Sequence, residues 1–243
     1  MTRPGTIYGV GLGPGDPDLM SLRAARLLRG AAHVAYFRKA GRAGRARQAV
    51  NGLLAAGAAE IAMEYPVTTE IPVADPRYNT ILARFYADMA ARLRALSGAG
   101  EDVVVLCEGD PFFYGSFMHL YTRLKDLAPV EVVPGITGMS AAWTATGQPV
   151  TWGDDIMTIL MGTLPEDVMT AQMRNGDALI VMKLGRTLDK VRRALRTAGR
   201  FEDAWLIECA TMPEQKVMRL AQAKGREVPY FSIVVVHGSG RRP

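Results

Sequence analysis

Six stretches of this chain place small residues, glycine or proline directly after a β-prone run: GPGDP, CEGDPFFYGS, PGITGMS, MGTLP, MKLGR and CATMPEQ. Turn chemistry explains any one of them. Six together point to a shared cleft lined by backbone N–H and C=O groups, since ligands gather at the carboxyl ends of strands. The richest stretch, GVGLGPGDPDLMSL (Gly9 to Leu22), invites a phosphate reading, and its spacing rejects one. A dinucleotide loop needs G-x-G-x-x-G, but the third place falls on Pro14, Asp16 or Asp18 in the three registers. No lysine follows to make a Walker loop, and Asp16 and Asp18 would repel a pyrophosphate. The glycines here allow close approach to something other than phosphate.

Other reactive patterns are missing or bland. The charged candidates beside these turns are Asp16, Glu108 and Asp110, and Asp110 before Pro111 also reads as a turn or cap residue. His33, His119 and His237 stand far apart, without H-E-x-x-H or C-x-x-C, so no metal is expected. No G-x-S-x-G elbow marks a serine hydrolase. The 13 methionines read as core filler. No residue stands out as a catalytic acid or base, and the catalytic group stays unassigned.

The elements that must position these turns alternate between strand and helix. Thr6–Leu12, HVAYF, Glu60–Tyr65, VVVLC and VEVV read as strands. Ser21 caps a helix through RAARLLR to Gly30, and Asn79–Leu96 carries apolar residues at helical spacing. A second set follows, with strand-like runs in DIMTILMG, ALIVMKLG, AWLIECAT and YFSIVVVHG and helices at Glu166–Met173 and Thr187–Ala198. This order predicts an α/β fold with largely parallel sheets and a short boundary near Pro134–Pro149.

The 243 residues suffice for one large or two small domains with ample apolar content. No apolar run is long enough to span a membrane, and the absence of an apolar amino-terminal segment predicts a cytoplasmic protein. Cys107 and Cys209, the two cysteines, read as reduced core thiols. The net charge of +5 is concentrated partly in RKAGRAGRAR, from Arg38 to Arg47. A solvated loop and an anion-binding role account for it equally well. Nucleic acid is not expected, because the cluster has no interleaved aromatics.

The anchors GVGLGPGDPDLMSL, VVVLCEGDPFFYGS, VEVVPGITGMSAA, VMKLGR and CATMPEQ together resemble the tetrapyrrole methylases, nearly end to end. The resemblance implies two α/β domains, 1–136 and 137–243, with S-adenosylmethionine and the substrate in the cleft between them, and a homodimer. YGVGLGPGDP, CEGDPFFYGSF and the basic loop after AYF are most similar to the precorrin-2 C20-methyltransferases. That implies methylation of C20 on the way to cobalamin, with S-adenosylhomocysteine as product. Metal-free precorrin-2, its cobalt complex and another ring position remain alternatives, as does a non-catalytic binding module. Carried over by position, the cofactor would contact Pro14, Glu108, Gly109, Asp110, Phe113, Thr137, Gly138, Met182 and Ala210. Gly13, Asp16, Phe37, Arg38 and Lys39 would meet the substrate, with Arg186 a further partner for its carboxylates. The sibling enzymes that act on uroporphyrinogen carry an acid after the second-strand tyrosine and a GKR-type motif after the third strand. Here Tyr36 is followed by Phe37, and MEYPVTTEIP stands in the second place.

Overall fold

The run Val103–Cys107 is apolar at every position, and a strand of that kind must be covered on both faces. Val103, Val105 and Cys107 enter one buried cluster, and Val104 and Leu106 enter another. The computed structural model describes residues 3–68, 70, 71 and 75–242, so Thr69 and Pro72 of MEYPVTTEIP lie outside the described residues. It divides into two units, Met1–Thr137 and Gly138–Pro243. In the first unit the chain runs β1 (Ile7–Gly11), α1 (Leu22–Gly30), β2 (His33–Lys39), α2 (Arg45–Ala49), β3 (Ala59–Tyr65), α3 (Pro76–Gly98), β4 (Val103–Cys107), α4 (Phe117–Leu124) and β5 (Val130–Val133).

These five strands form one parallel sheet in the order β3-β2-β4-β1-β5. Ala24 and Leu28 of α1 and Ala46 of α2 cover one face, and Phe85, Leu93, Phe117 and Leu120 of α3 and α4 cover the other. The predicted helices form for the predicted reasons. Ser21 Oγ accepts from the Ala24 N–H at 3.1 Å at the start of α1. α3 begins earlier than its apolar pattern suggests, because Asp75 caps it and Pro76 suits a first turn.

The second unit runs α5 (Gly138–Ala145), β6 (Met157–Met161), α6 (Glu166–Asn175), β7 (Ala178–Met182), α7 (Leu188–Thr197), β8 (Trp205–Glu208), β9 (Lys216–Arg219) and β10 (Ser232–Val236). Here the expected parallel sheet is corrected. The order is β6-β7-β10-β8-β9, and only β6 and β7 pair in parallel. CATMPEQ is therefore a hairpin connection into β9, a four-residue strand with charged ends that apolar alternation does not reveal. β10 returns antiparallel between β7 and β8, so β6, β7 and β8 still point the same way. MGTLP, MKLGR and CATMPEQ consequently leave from one edge. Helices α6 and α7 cover one face and α5 the other.

Cys107 and Cys209 are both buried, and burial pushes the Cys107 thiol well above the ordinary range. Cys107 should therefore resist alkylation by a thiol reagent at pH 8 in the native protein and react at once in denaturant. Rapid native modification of Cys107, located by mass spectrometry, would contradict its place in the sheet.

Candidate active site

In the first sheet the chain leaves β1 toward β2 on one side and leaves the adjacent β4 toward β5 on the other. Such a reversal opens a crevice at the carboxyl ends of the two strands. Gly13 and Gly109 face each other across this point: the Gly109 N–H donates to the Gly13 carbonyl at 2.9 Å, and the Gly13 N–H donates back at 3.3 Å. Gly109 has φ +66°, a conformation that favours glycine. Behind them, a Cβ on Gly135 would lie 2.1 Å from the Gly109 carbonyl oxygen, and one on Gly11 would lie 2.6 Å from the Gly135 nitrogen. The ends of β1, β4 and β5 thus meet backbone to backbone, and only glycine fits at the contact. Sequence reading identified the glycine-rich turns but missed this mutual packing, whose only signal was a glycine at each strand end.

Asp110 ties the same junction together, accepting from the Phe112 N–H at 2.8 Å and from the Gly135 N–H at 3.0 Å. Its turn role, one of the two readings of the sequence, is therefore filled. Asp16 likewise accepts from the Asp18 N–H at 2.9 Å and caps a short 3-10 turn at Pro17–Leu19. The Glu108 side chain is exposed. Protein crowding pushes its carboxyl pKa up, against the charge of Arg45 and the Ala46 N–H, and water blunts that shift. Pro14 and Phe113 lie in the same two turns, and Thr137 follows Gly135 and Ile136.

The basic segment is held by carboxylates of its own unit. Arg38 meets Glu64 with contacts of 2.8 and 2.6 Å, Lys39 pairs with Glu70, and Arg47 grips Glu60 through two bonds of 2.8 and 2.7 Å. The Arg47 hydrogen bonds hold the Glu60 carboxyl below its usual range, and Glu60 in turn raises Arg47. Arg38, Lys39 and Arg47 thus have structural partners, and Arg38 or Lys39 would have to exchange Glu64 or Glu70 for a substrate carboxylate. Phe37 is half-buried and packs in an aromatic group, with its ring centre 5.5 Å from Tyr65, 6.3 Å from Phe85 and 6.1 Å from Tyr86.

In the second unit, Met182 ends β7, Ala210 follows β8 and Gly138 opens α5. Met182 and Ala210 pack on the face that α5 covers, beside Met139 and Trp143. The edge they share is built from strained turns: Lys183, Cys209 and Thr211 all take left-handed φ values, of 55°, 49° and 66°. Such backbone persists only where the surroundings over-determine it, and it gathers at functional sites. Among the described residues no group of His, Cys, Asp and Glu is placed to hold a metal ion, and no helix is long and apolar enough to cross a membrane.

A family model described as tetrapyrrole (corrin/porphyrin) methylases matches residues 6–224. The chain is 45% identical over 239 residues to a precorrin-2 C(20)-methyltransferase from Sinorhizobium sp, covering 98% of each chain. It is 27% identical over 238 residues to a cobalt-precorrin-2 C(20)-methyltransferase from Salmonella typhimurium, covering 96% of each. The crystal structure of a cobalt precorrin-4 methyltransferase shares the fold, with a TM-score of 0.73 at 24% identity, covering 96% of this chain and 94% of the other.

Proposed function

The chain belongs to the tetrapyrrole methylases, and on that footing we propose that it transfers a methyl group from S-adenosylmethionine to C20 of precorrin-2, giving precorrin-3A in cobalamin synthesis. The observation that carries the reading is the 45% identity to a precorrin-2 enzyme along 98% of both chains, against 27% to a cobalt-precorrin-2 enzyme. The residues present suit the cofactor. The junction of Gly11, Gly109 and Gly135 packs backbone against backbone and so fixes the turns that would meet it, and the loop lacks the spacing that a pyrophosphate needs.

When bound, S-adenosylmethionine would supply the methyl group of its sulfonium, with the neutral thioether S-adenosylhomocysteine as the leaving group. The chain's share is alignment. The meso carbon of the tetrapyrrole is enamine-like and already nucleophilic, so holding the two reactants in line does most of the work; the proton that C20 loses after transfer passes to water or a nearby carboxylate, and no strong base is required. We assign the cofactor to Pro14, the Glu108–Gly109–Asp110 turn, Phe113, Thr137, Gly138, Met182 and Ala210. Within that set Asp110 also holds the turn, its two oxygens accepting from the Phe112 and Gly135 N–H groups. Gly13 and Asp16 lie on the substrate side of the same loops. Phe37 cannot move a proton, and this fits a reaction that needs no acid at that place. We further take the protein to act as a homodimer in the cytoplasm.

The test is incubation with methyl-labelled S-adenosylmethionine and, separately, precorrin-2, its cobalt complex and uroporphyrinogen III, with the label located by NMR. Label at C20 of precorrin-2 is expected, with little turnover of uroporphyrinogen. Comparable turnover of uroporphyrinogen III to a dimethylated product sinks the assignment, and preference for the cobalt complex shifts it to the metal-loaded substrate. Calorimetry should show S-adenosylhomocysteine binding at about −8 kcal/mol, a micromolar Kd.

A further inference from the structure

Ser116 stands at the N-cap of α4, yet its hydroxyl makes no capping bond, the usual use of a serine there. It meets instead the Tyr65 hydroxyl at the carboxyl end of β3. The hydroxyl of Tyr86, a buried residue of α3, bonds both; burial raises its pKa, and those two bonds oppose the rise. Aromatic rings pack around the two tyrosines. Phe37 stacks on Tyr65, Phe85 lies 5.5 Å from Tyr65 and 5.2 Å from Tyr86, and His119 stacks on Tyr86 at 4.5 Å. Loss of the Tyr65 hydroxyl would remove one of the two hydroxyl partners of Ser116 and leave Tyr86 alone to hold it.

The importance of this link lies in what it holds. Ser116 closes the loop that follows β4, and Asp110 anchors the other end of that loop. Between the anchors come three consecutive aromatics, Phe112, Phe113 and Tyr114. Tyr114 has φ 53°, and Phe112 and Tyr114 are 46% and 49% exposed. Exposed rings on strained backbone need a rigid support, and here they stand at the carboxyl end of β4, beside the β1/β4 crevice. Flat, conjugated ligands are the class that such rings bind by stacking.

We propose that Tyr65 is a positioning residue for the tetrapyrrole, holding the back of the 108–116 loop through Ser116 so that its exposed rings, Phe112 and Tyr114, are set for the macrocycle. The inference rests on the tetrapyrrole reading above. Tyr65→Phe keeps the ring stack and removes only the hydroxyl. It should raise KM for precorrin-2 about tenfold, the effect of one lost hydrogen bond, leaving kcat within twofold. Amide exchange of Phe112–Ser116 should quicken in the same variant by a similar factor. Ser116→Ala should reproduce both changes, Ser116→Thr should restore them, and the Tyr65→Phe/Ser116→Ala double variant should be no worse than either single. Unchanged exchange overturns the proposal, as does faster exchange with an unchanged KM for precorrin-2, or additive singles. A wild-type control inactive on precorrin-2 sinks the C20 reading instead, and the exchange measurement then still decides whether Tyr65 holds the loop.

Discussion

Gly135→Ala should lower the stability of the protein by about 3 kcal/mol, the upper end of ordinary overpacking costs, and the Tm by about 6–12 °C. The added Cβ would sit 2.1 Å from the Gly109 carbonyl oxygen and 2.9 Å from the Gly11 Cα. Both are backbone atoms, tied down by parallel strand pairing and by the Gly13–Gly109 bridge, so no side chain can swing away. The junction must open, and the turns assigned to the cofactor should open with it, weakening S-adenosylhomocysteine binding alongside stability. Gly98→Ala is the control. Gly98 ends α3, and a Cβ added there would meet nothing within 4 Å, so alanine should be neutral or stabilising by about 0.5 kcal/mol. Thermal melts of the two variants decide the matter. A Gly135→Ala protein that melts with the wild type would mean that the three strand ends are not in backbone contact. Gly109→Val should strain the backbone, because Gly109 has a φ of +66°, as well as intrude on a ligand.

The second large effect is expected at Arg226. Its guanidinium bonds both oxygens of Glu208, at 2.9 and 3.1 Å, while the Glu208 side chain is only 4% exposed and that of Arg226 is 36% exposed. Removing one partner of a buried pair leaves the other charge without compensation, a loss of about 3–5 kcal/mol when both are fully buried. Because Arg226 is partly open to water, about 2–3 kcal/mol is the expected cost of Arg226→Ala. The two ends are not equivalent. Glu208→Ala leaves a cation that water can reach and should cost clearly less, whereas Arg226→Ala strands a carboxylate inside the second sheet. Urea unfolding of both variants gives the comparison. A larger loss for Glu208→Ala would show that the pair does not work through desolvation of the carboxylate.

Much of this molecule is legible in its residues alone. Periodicity and caps identify α1, α3, α6 and α7, because each depends on local spacing: Ser21 at an N-cap, or apolar residues three and four apart. The first sheet is legible for a similar reason, since runs such as VVVLC make sense only when covered on both faces. Five motifs in series are specific enough to name the family. Strand direction in the second sheet is not legible. Four apolar runs read alike whichever way they pair, and the short β9 gives no alternation to show that the chain doubles back after β8.

Residue type and local spacing were thus enough for the elements, the family and the kind of contact that the glycine turns allow. Which side chains do structural work emerged only from the folded chain. Asp110 and Asp16 were candidates by charge, and the fold shows that Asp110 accepts from the Phe112 and Gly135 N–H groups and Asp16 from the Asp18 N–H. Arg38, Lys39 and Arg47 were a basic run, yet Glu64, Glu70 and Glu60 answer them from 26, 31 and 13 residues away. Ser116 and Tyr65, 51 residues apart, carried no signal at all. A hydrogen bond across such separations depends on where the chain returns, and composition and spacing do not encode that return.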